Sequence, residues 1–233
     1  MRWLVPILYW PARLVVKAVV LLLVDLHISG GDKVPRHGPV ILASNHLSNA
    51  DPPVLGTSVG RRVVFMAKQE AMSWPILGLL IRLSGALPVR RFEADLGALR
   101  KATEVLQKGR ALIMFPEGTR SRQRQLQMGH PGTALIALRS GAPIVPVGIS
   151  GTERIRFPSV IFGLLRLRRP RVDLAFGDPF FLPNVTRISS DEVNRCTDLI
   201  MRRIAALLPP AYRGPYAEEA EAPTEQARTD EAG

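Results

Sequence analysis

Short apolar runs alternate with longer amphipathic stretches along most of the chain after Gly31. The apolar runs predict β-strands at residues 40–44, 62–67, 86–90, 111–115, 143–149 and 171–176. Helical periodicity between the strands is clearest at residues 96–108, where Asp95 can cap the first turn and Gly109 follows the last. Strands that alternate with helices predict an α/β fold, with a mainly parallel sheet flanked by helices.

The amino-terminal segment departs from this pattern. Its first 24 residues are mostly apolar, but Arg13 and Lys17 leave no uncharged run of the ~20 residues that a bilayer core requires. In a continuous helix Arg2, Arg13 and Lys17 share one side, which leaves the rest of the circumference apolar. We therefore predict a membrane-associating helix within residues 1–30 that lies in a membrane surface. A helix packed on the protein's own core and a tilted span are the alternatives.

The carboxyl-terminal segment divides at a pair of prolines. Ser189 and Glu192 form a capping box that predicts the start of the last helix, and Pro209 and Pro210 end it. The sequence beyond is rich in Ala, Glu, Pro and Thr and has too little apolar surface to bury. Residues 31–208 are thus predicted to form one domain, and residues 209–233 a disordered acidic tail.

Composition narrows the classes of function. The net charge is +11, and it is higher in the body of the chain because acidic residues concentrate after Pro209. A basic domain of this kind is expected to bind an anionic partner: nucleic acid, an anionic membrane or a phosphorylated substrate. No nucleic-acid-binding module or aromatic-basic platform is recognisable, so nucleic acid is not expected. The single cysteine, Cys196, excludes an internal disulfide, and its helical pattern predicts a core position.

A histidine and a carboxylate, His46 and Asp51, lie five positions apart on the turn that follows the 40–44 strand. In such a pair the carboxylate keeps one ring nitrogen protonated and leaves the other free to accept a proton near neutral pH. The pattern is that of a general base. A capping or salt-bridged pair without catalytic function is the alternative.

A second polar turn spans residues 115–121, with the sequence Phe-Pro-Glu-Gly-Thr-Arg-Ser, directly after the 111–114 apolar run. Pro and Gly predict a tight turn, and its polar side chains are typical of an anion site. Arg120, followed by Arg122 and Arg124, can bind a phosphate with two parallel hydrogen bonds, and Glu117 can orient the arginine. A solvated basic loop is the alternative.

Four sequence blocks together resemble the glycerolipid acyltransferase family. They are Asn45-His46-x-x-x-x-Asp51 and the segments 85–91, 115–121 and 144–149, in the family's order and spacing. The likeness runs from about residue 31 to residue 180, and it is greatest to the bacterial enzymes that acylate 1-acylglycerol-3-phosphate. It implies a glycerol-3-phosphate acyltransferase-like α/β fold. It also implies transfer of a fatty acyl group from acyl-CoA or acyl carrier protein to a lysophospholipid hydroxyl, without a metal or a bound cofactor.

The resemblance also implies roles for individual residues. His46 would take the proton from the acceptor hydroxyl, and Asp51 would orient its ring. The acceptor's phosphate would be held by Glu117, Gly118, Thr119, Arg120 and Arg91. A dry wall near the acyl chain would be formed by Ile144, Val145, Pro146 and Val147. The chain departs from the family at Arg90, where relatives often have Asp, and near His130, where many have a Lys.

We therefore expect an enzyme of phospholipid biosynthesis that makes phosphatidic acid at the cytoplasmic face of the cell membrane, as a peripheral or monotopic protein. The N-terminal segment and the basic, apolar residues 154–169 would form one surface against an anionic membrane. Two alternatives are another lysolipid acceptor, such as a lyso-aminolipid, and a phospholipid-binding protein without catalysis. The intact His46, Asp51 and Arg120 weigh against the latter.

Overall fold

A computed structural model describes residues 5–73, 78, 86–89, 96–155, 169–185 and 187–218. In this part of the chain, the α-helices are α1 (Val5–Leu23), α2 (Asp51–Ser58), α3 (Leu96–Gln107), α4 (Gly132–Ser140) and α5 (Ser190–Ala205). The strands are β1 (Asp25–Ser29), β2 (Val40–Ser44), β3 (Val63–Lys68), β4 (Leu87–Val89), β5 (Ala111–Met114), β6 (Ile144–Ser150) and β7 (Arg171–Phe176).

The strands form one sheet in the order β1-β7-β6-β2-β5-β3-β4. Every neighbouring pair is parallel except β6 and β7, which are antiparallel. The predicted α/β fold with a mainly parallel sheet is thus confirmed. Because β2, β3, β4, β5 and β6 run the same way, their carboxyl ends meet at one edge of the sheet, where clefts form in this class of fold.

Two hydrophobic cores cover the two faces of the sheet. Ile41 and Leu112 belong to the core beneath α3, α4 and α5, whereas Leu42 and Ile113 belong to the core beneath α1 and α2. Neighbouring residues of a strand point to opposite faces, so a strand covered on both sides must be apolar at consecutive positions. This explains why β2 and β5 are recognisable as short apolar runs. Cys196 is buried in the first of these cores, as predicted.

The strand β6 lies inside the sheet, between β2 and β7, and all its residues are buried. The predicted acyl-chain wall, Ile144, Val145, Pro146 and Val147, therefore has no open surface for a substrate. Ile144 packs into one core, and Val145 and Val147 pack into the other. Burial on both faces explains why this run is apolar at consecutive positions, and the acyl-chain wall stays a prediction.

The predicted domain boundary at residue 30 leaves one strand of the sheet, β1, outside the domain. The helix α1 ends at Leu23, and the next segment, β1, pairs in parallel with β7 at the sheet's edge. Four of the five residues of β1 are exposed. An exposed edge strand needs no continuous apolar run, so the sequence pattern did not reveal it.

The predicted disordered tail also begins too early. Two short 3₁₀ helices, Pro210–Tyr212 and Gly214–Tyr216, follow α5, and Tyr216 is buried in the core beneath α3, α4 and α5. The backbone N–H of Leu126 donates to the carbonyl of Tyr212 (2.8 Å). Two tyrosines supply the apolar surface that the composition of the segment as a whole lacks. The rest of the predicted tail, residues 219–233, lies outside the described residues.

The helix α1 is docked on the domain through polar groups. The Arg13 guanidinium donates to the carbonyl of Thr57 (3.2 Å) and to that of Val59, at the end of α2. The Tyr9 hydroxyl accepts from the backbone N–H of Val63 (3.2 Å). Arg13 thus faces the protein and binds the end of α2.

The opposite side of α1 is apolar and exposed. Its exposed large hydrophobic side chains are Trp10, Leu14, Val15, Val19, Leu21 and Leu22. The strand β1 starts opposite the first residue of β7, which is antiparallel to β6, so α1 ends near the sheet edge formed by the carboxyl ends. Within the described residues, no helix is long and apolar enough to cross a membrane.

Candidate active site

His46 and Asp51 meet at the carboxyl end of the central strand β2. The Nδ1 atom of His46 lies 2.7 Å from Oδ2 of Asp51, the first residue of α2. The same oxygen accepts hydrogen bonds from the backbone N–H groups of Leu47 (2.6 Å) and Ser48 (2.8 Å). Asp51 is completely buried. One carboxylate oxygen therefore stabilises the backbone of the turn and orients the histidine ring.

The ring of His46 is fixed on its face as well. Phe115 stacks on it, with ring centroids 4.2 Å apart and an angle of 22° between the planes. His46 is only 5% exposed, and in the described part of the chain no group pairs with its Nε2 atom. Because Asp51 accepts the Nδ1 proton, Nε2 is the nitrogen that can take a proton from a substrate. The arrangement is suited to a general base.

Glu117 supports the same turn from the other side. Its Oε1 atom accepts the backbone N–H of His46 (2.7 Å), and its Oε2 atom accepts from the backbone N–H (3.1 Å) and side-chain Nε2 (3.0 Å) of Gln127. Glu117 is 1% exposed. A carboxylate whose two oxygens are used internally would also repel a phosphate. The structure thus gives Glu117 a supporting place beneath the turn, and its binding of the acceptor's phosphate stays a prediction.

The protonation of Glu117 is shifted by this environment. Burial, assisted by the nearby charge of Asp51, raises the pKa of Glu117 from 4.5 to about 7, although the hydrogen bonds from His46 and Gln127 act in the opposite direction. Burial prevails because the carboxylate has lost its water. Near neutral pH the protonated and ionised forms of Glu117 are therefore both populated.

The polar turn after β5 lies beside the catalytic turn. Its backbone is joined to that turn by the N–H of Ser121, which donates to the carbonyl of His46 (2.8 Å). Gly118 has φ +65°, which favours glycine, and both Gly118 and Arg120 are exposed. Thr119 is half-buried next to them. Gly118, Thr119 and Arg120 are placed where they could hold an anion near His46, whereas Arg91 lies outside the described residues.

Asn45, whose role the sequence does not indicate, joins two strands. Its Nδ2 atom donates to the carbonyl of Ile149 (2.8 Å), and its Oδ1 atom accepts the N–H of the same residue (2.8 Å). The side-chain amide thus continues the β2–β6 pairing one step past the end of β2. Neither this contact nor the stacking of Phe115 on His46 has a local signal in the sequence, because each depends on residues distant in the chain.

His130 lies against the polar turn. Its backbone N–H donates to the carbonyl of Pro116 (2.8 Å), and its Cδ2 atom lies 3.0 Å from where a Cβ on Gly118 would stand. Its side chain is exposed. In the described part of the chain, no three His, Cys, Asp or Glu side chains are grouped so that they could hold a metal ion.

A sequence model of a family described as Acyltransferase matches residues 25–150, which is more than half of the chain. This chain belongs to the acyltransferase family. The matched region contains β2, the catalytic turn, the polar turn and β6, so the resemblance expected from the four blocks is confirmed.

Several curated relatives are similar to this acyltransferase. A 1-acyl-sn-glycerol-3-phosphate acyltransferase of Streptococcus pneumoniae is 31% identical over 186 residues, which are 78% of this chain and 66% of that protein. A chloroplastic protein of the same name from Arabidopsis thaliana is 31% identical over 150 residues, or 63% of this chain and 42% of its own length. A lyso-ornithine lipid O-acyltransferase of Pseudomonas aeruginosa is 34% identical over 143 residues, which are 61% of this chain and 52% of that protein. This acyltransferase thus spans less than half of the chloroplastic relative.

A solved structure has the same architecture. The crystal structure of the 1-acyl-sn-glycerophosphate acyltransferase PlsC from Thermotoga maritima matches with a TM-score of 0.62 at 26% sequence identity. The match covers 82% of this acyltransferase and 76% of the Thermotoga chain. The likeness therefore extends over most of the sheet and its helices.

We expect Asp51→Asn to separate the charge of Asp51 from its geometry. The asparagine Oδ1 can accept the same three N–H groups, and its Nδ2 takes the place of the carboxylate's Oδ1, which has no partner among the described residues. The rate of acyl transfer should fall by at least ~10²-fold, because the imidazolium loses its counter-charge. The free energy of unfolding should fall by less than about 2 kcal/mol. Steady-state rates and chemical unfolding measure the two effects.

The control for this prediction is Asp51→Ala, which removes all three acceptor contacts and should lower both the rate and the stability. An Asp51→Asn variant that transfers acyl groups at the wild-type rate would contradict the role assigned to the charge.

We expect Glu117 to make stability depend on pH in a defined direction. Between pH 4.5 and about 7 the folded protein keeps a proton that the unfolded chain has released. The contribution of Glu117 is therefore complete below pH 4.5 and is lost as the pH rises through about 7, a change of about 3 kcal/mol. Chemical unfolding at several pH values, compared with Glu117→Gln, measures the difference. Parallel pH dependences of the two proteins would contradict the assignment.

Proposed function

We propose that this chain transfers a fatty acyl group from a thioester to the free hydroxyl of 1-acyl-sn-glycerol 3-phosphate, giving phosphatidic acid. The observation that carries the proposal is the buried Asp51 carboxylate, which fixes His46 so that Nε2 remains available beside the exposed Arg120 turn. A base next to an anion site suits an acceptor that has a hydroxyl and a phosphate on one small glycerol. The names of relatives from Streptococcus, Arabidopsis and Thermotoga support the same reaction.

The chemical step needs no protein nucleophile. The acceptor hydroxyl gives its proton to Nε2 of His46 while its oxygen attacks the thioester carbonyl carbon. The carbon–oxygen bond forms, the carbon–sulfur bond breaks, and the departing thiolate receives the proton from His46. Asp51 stabilises the imidazolium between these two transfers. The single cysteine of the chain, Cys196, is buried in the core and takes no part.

A second candidate acceptor is a lyso-ornithine lipid. The relative from Pseudomonas aeruginosa that bears this name is 34% identical, more than the pneumococcal relative, although over a shorter stretch. A lyso-ornithine lipid has no phosphate ester, so it would not need an arginine at position 120. The exposed Arg120, which has no ion pair among the described residues, favours the phosphate-bearing acceptor.

We further propose that the exposed apolar side of α1 rests on the cytoplasmic surface of the cell membrane. The helix turns its polar contacts inward, through Tyr9 and Arg13, and its large hydrophobic side chains outward. Because α1 ends near the sheet edge that bears His46, an acceptor could pass from the lipid layer to the base along a short route. Residues 156–168, which complete the membrane surface expected from the sequence, lie outside the described residues.

The activity is tested with purified protein, a labelled acyl-CoA or acyl carrier protein, and a panel of lysolipids. We expect transfer to lysophosphatidic acid to be faster than to lyso-ornithine lipid, and expect His46→Ala to reduce it by ~10²–10⁴-fold. Arg120→Ala should raise the KM for lysophosphatidic acid and leave transfer to lyso-ornithine lipid unchanged. Preference for lyso-ornithine lipid would select the second candidate, and full activity of His46→Ala would refute the mechanism.

The membrane surface is tested by a double variant, Leu14→Gln with Leu22→Gln. These side chains are 68% and 54% exposed, so the fold should keep its stability. Binding to anionic liposomes should weaken by about 20- to 500-fold, because a leucine that becomes fully buried in lipid contributes about 1.5–3 kcal/mol and only the exposed 68% and 54% of these two side chains can be transferred. Phe181→Gln, which removes a side chain of equal exposure outside α1 (68%), is the matched control. Undiminished co-sedimentation of the double variant would rule out this face.

A further inference from the structure

The loop after the polar turn carries more positive charge than one acceptor phosphate requires. Arg120, Arg122 and Arg124 are all exposed, and none forms an ion pair among the described residues. The only acidic side chain of this loop, Glu117, is buried and hydrogen-bonded to His46 and Gln127. Three uncompensated guanidinium groups within five residues form a concentrated anion-binding surface.

This loop is fixed in place rather than loosely exposed. The backbone N–H of Ser121 donates to the carbonyl of His46 (2.8 Å), and the hydroxyl of Ser121 accepts from the N–H of Gln125 (3.2 Å). The N–H of Leu126 donates to the carbonyl of Tyr212 (2.8 Å), so the end of the loop is held at the C-terminal segment. The backbone of the arginine loop is thus held between the turn that bears His46 and the C-terminal segment.

Arg124 adopts an unfavourable backbone conformation. Its φ of 60° makes it the one described residue other than glycine with a positive φ. For most side chains this left-handed conformation costs roughly 1–2 kcal/mol, and glycine would adopt it without strain. Strain of this kind persists where the surrounding structure imposes it, often at ligand-binding sites. The strained backbone at Arg124 therefore supports a ligand-binding role for this residue.

The loop lies on the side of the sheet away from the proposed membrane face. Leu126 packs into the core beneath α3, α4 and α5, and Gly129 lies against Met201 of α5. The helix α1 covers the opposite core through Val20 and Val24. A lipid acceptor reaching the base from the α1 side would leave Arg122 and Arg124 accessible to a ligand from water. This placement favours a water-soluble anion over the membrane as their partner.

We propose that Arg122 and Arg124 bind the phosphates of the acyl donor's carrier, while Arg120 is left for the acceptor. The proposal rests on the acyl transfer proposed above, since a thioester donor must bind next to His46. Acyl-CoA and acyl carrier protein both present the thiol on a phosphopantetheine arm, so the same two guanidinium groups suit either source. Charge-assisted, bidentate binding of phosphate is the recognition to which arginine is best suited.

The test compares donors with and without phosphates. In the double variant Arg122→Ala with Arg124→Gly, the KM for acyl-CoA should rise by about ten- to a hundredfold. The KM values for acyl-pantetheine, which has no phosphate, and for lysophosphatidic acid should stay at their wild-type values. The thermal stability should not fall, because glycine relieves the strain at residue 124. Arg139→Ala, an exposed arginine at the end of α4, is the matched control and should change none of these.

Acyl carrier protein identifies the source of the phosphate. An increase of KM with both carriers supports binding of the shared phosphopantetheine phosphate, and an increase with acyl-CoA alone supports binding of the nucleotide phosphates. An equal increase with acyl-pantetheine, an increase for lysophosphatidic acid, or no increase with any donor overturns the proposal. Loss of anionic liposome binding with unchanged donor kinetics also overturns it, in favour of the membrane.

Calorimetric binding of CoA alone separates this proposal from the proposed function. Weaker CoA binding in the double variant, in a protein that transfers no acyl group, would refute the reaction but support the site. Acyl transfer with wild-type CoA affinity in the double variant would support the reaction and refute the site.

Discussion

The buried carboxylate of Asp51 is the group on which the catalytic turn depends. One of its oxygens accepts N–H groups from the His46 ring and from the backbone of Leu47 and Ser48. All the partners are donors to this one oxygen, so the oxygen must act as an acceptor only. An ionised carboxylate meets this need and also supplies the charge that a protonated imidazole requires. The structure of the turn and its chemistry thus have the same origin.

Glu117 is a second buried carboxylate that accepts N–H groups of the catalytic turn, and its burial has a cost in free energy. A second acceptor-only side chain receives the N–H of His46 and the two donors of Gln127, so both ends of the turn are held. Burial of this carboxylate, with a smaller contribution from the charge of Asp51, disfavours its ionised form and raises the pKa of Glu117 to about 7. The buried Glu117 carboxylate therefore lowers the free energy of unfolding while it holds His46 in one orientation, as is common at active sites.

The parts of this fold that the sequence predicts are those with a local physical cause. Buried parallel strands such as β2 and β5 must be apolar at consecutive positions, and the capping box at Ser189 marks the start of α5, where its hydroxyl accepts the N–H of Glu192 (3.2 Å). His46 and Asp51 were recognisable because they lie on one turn. The strand β1 was not, since an exposed edge strand has little apolar signal.

The features that the sequence could not reveal depend on contacts between distant segments. The family's motifs suggested that Glu117 faces a phosphate, and only the fold shows its oxygens occupied by His46 and by Gln127, ten residues later. The apolar run of β6 suits a substrate wall and a central strand equally well, and only the order of the sheet shows that it lies between two strands. Asn45 gave no signal because its partner, Ile149, is 104 residues away.

The contact of Arg13 with the end of α2 has a mechanical consequence. The short helix α2 begins with Asp51 and ends at the carbonyl groups that Arg13 binds. It is roughly 12 Å long and connects the residue that docks α1 with the carboxylate that orients His46. A change in the tilt of α1 would therefore move α2, and with it the histidine. If α1 rests on lipid, the height and the angle of the base above the bilayer are therefore set by the same rigid piece.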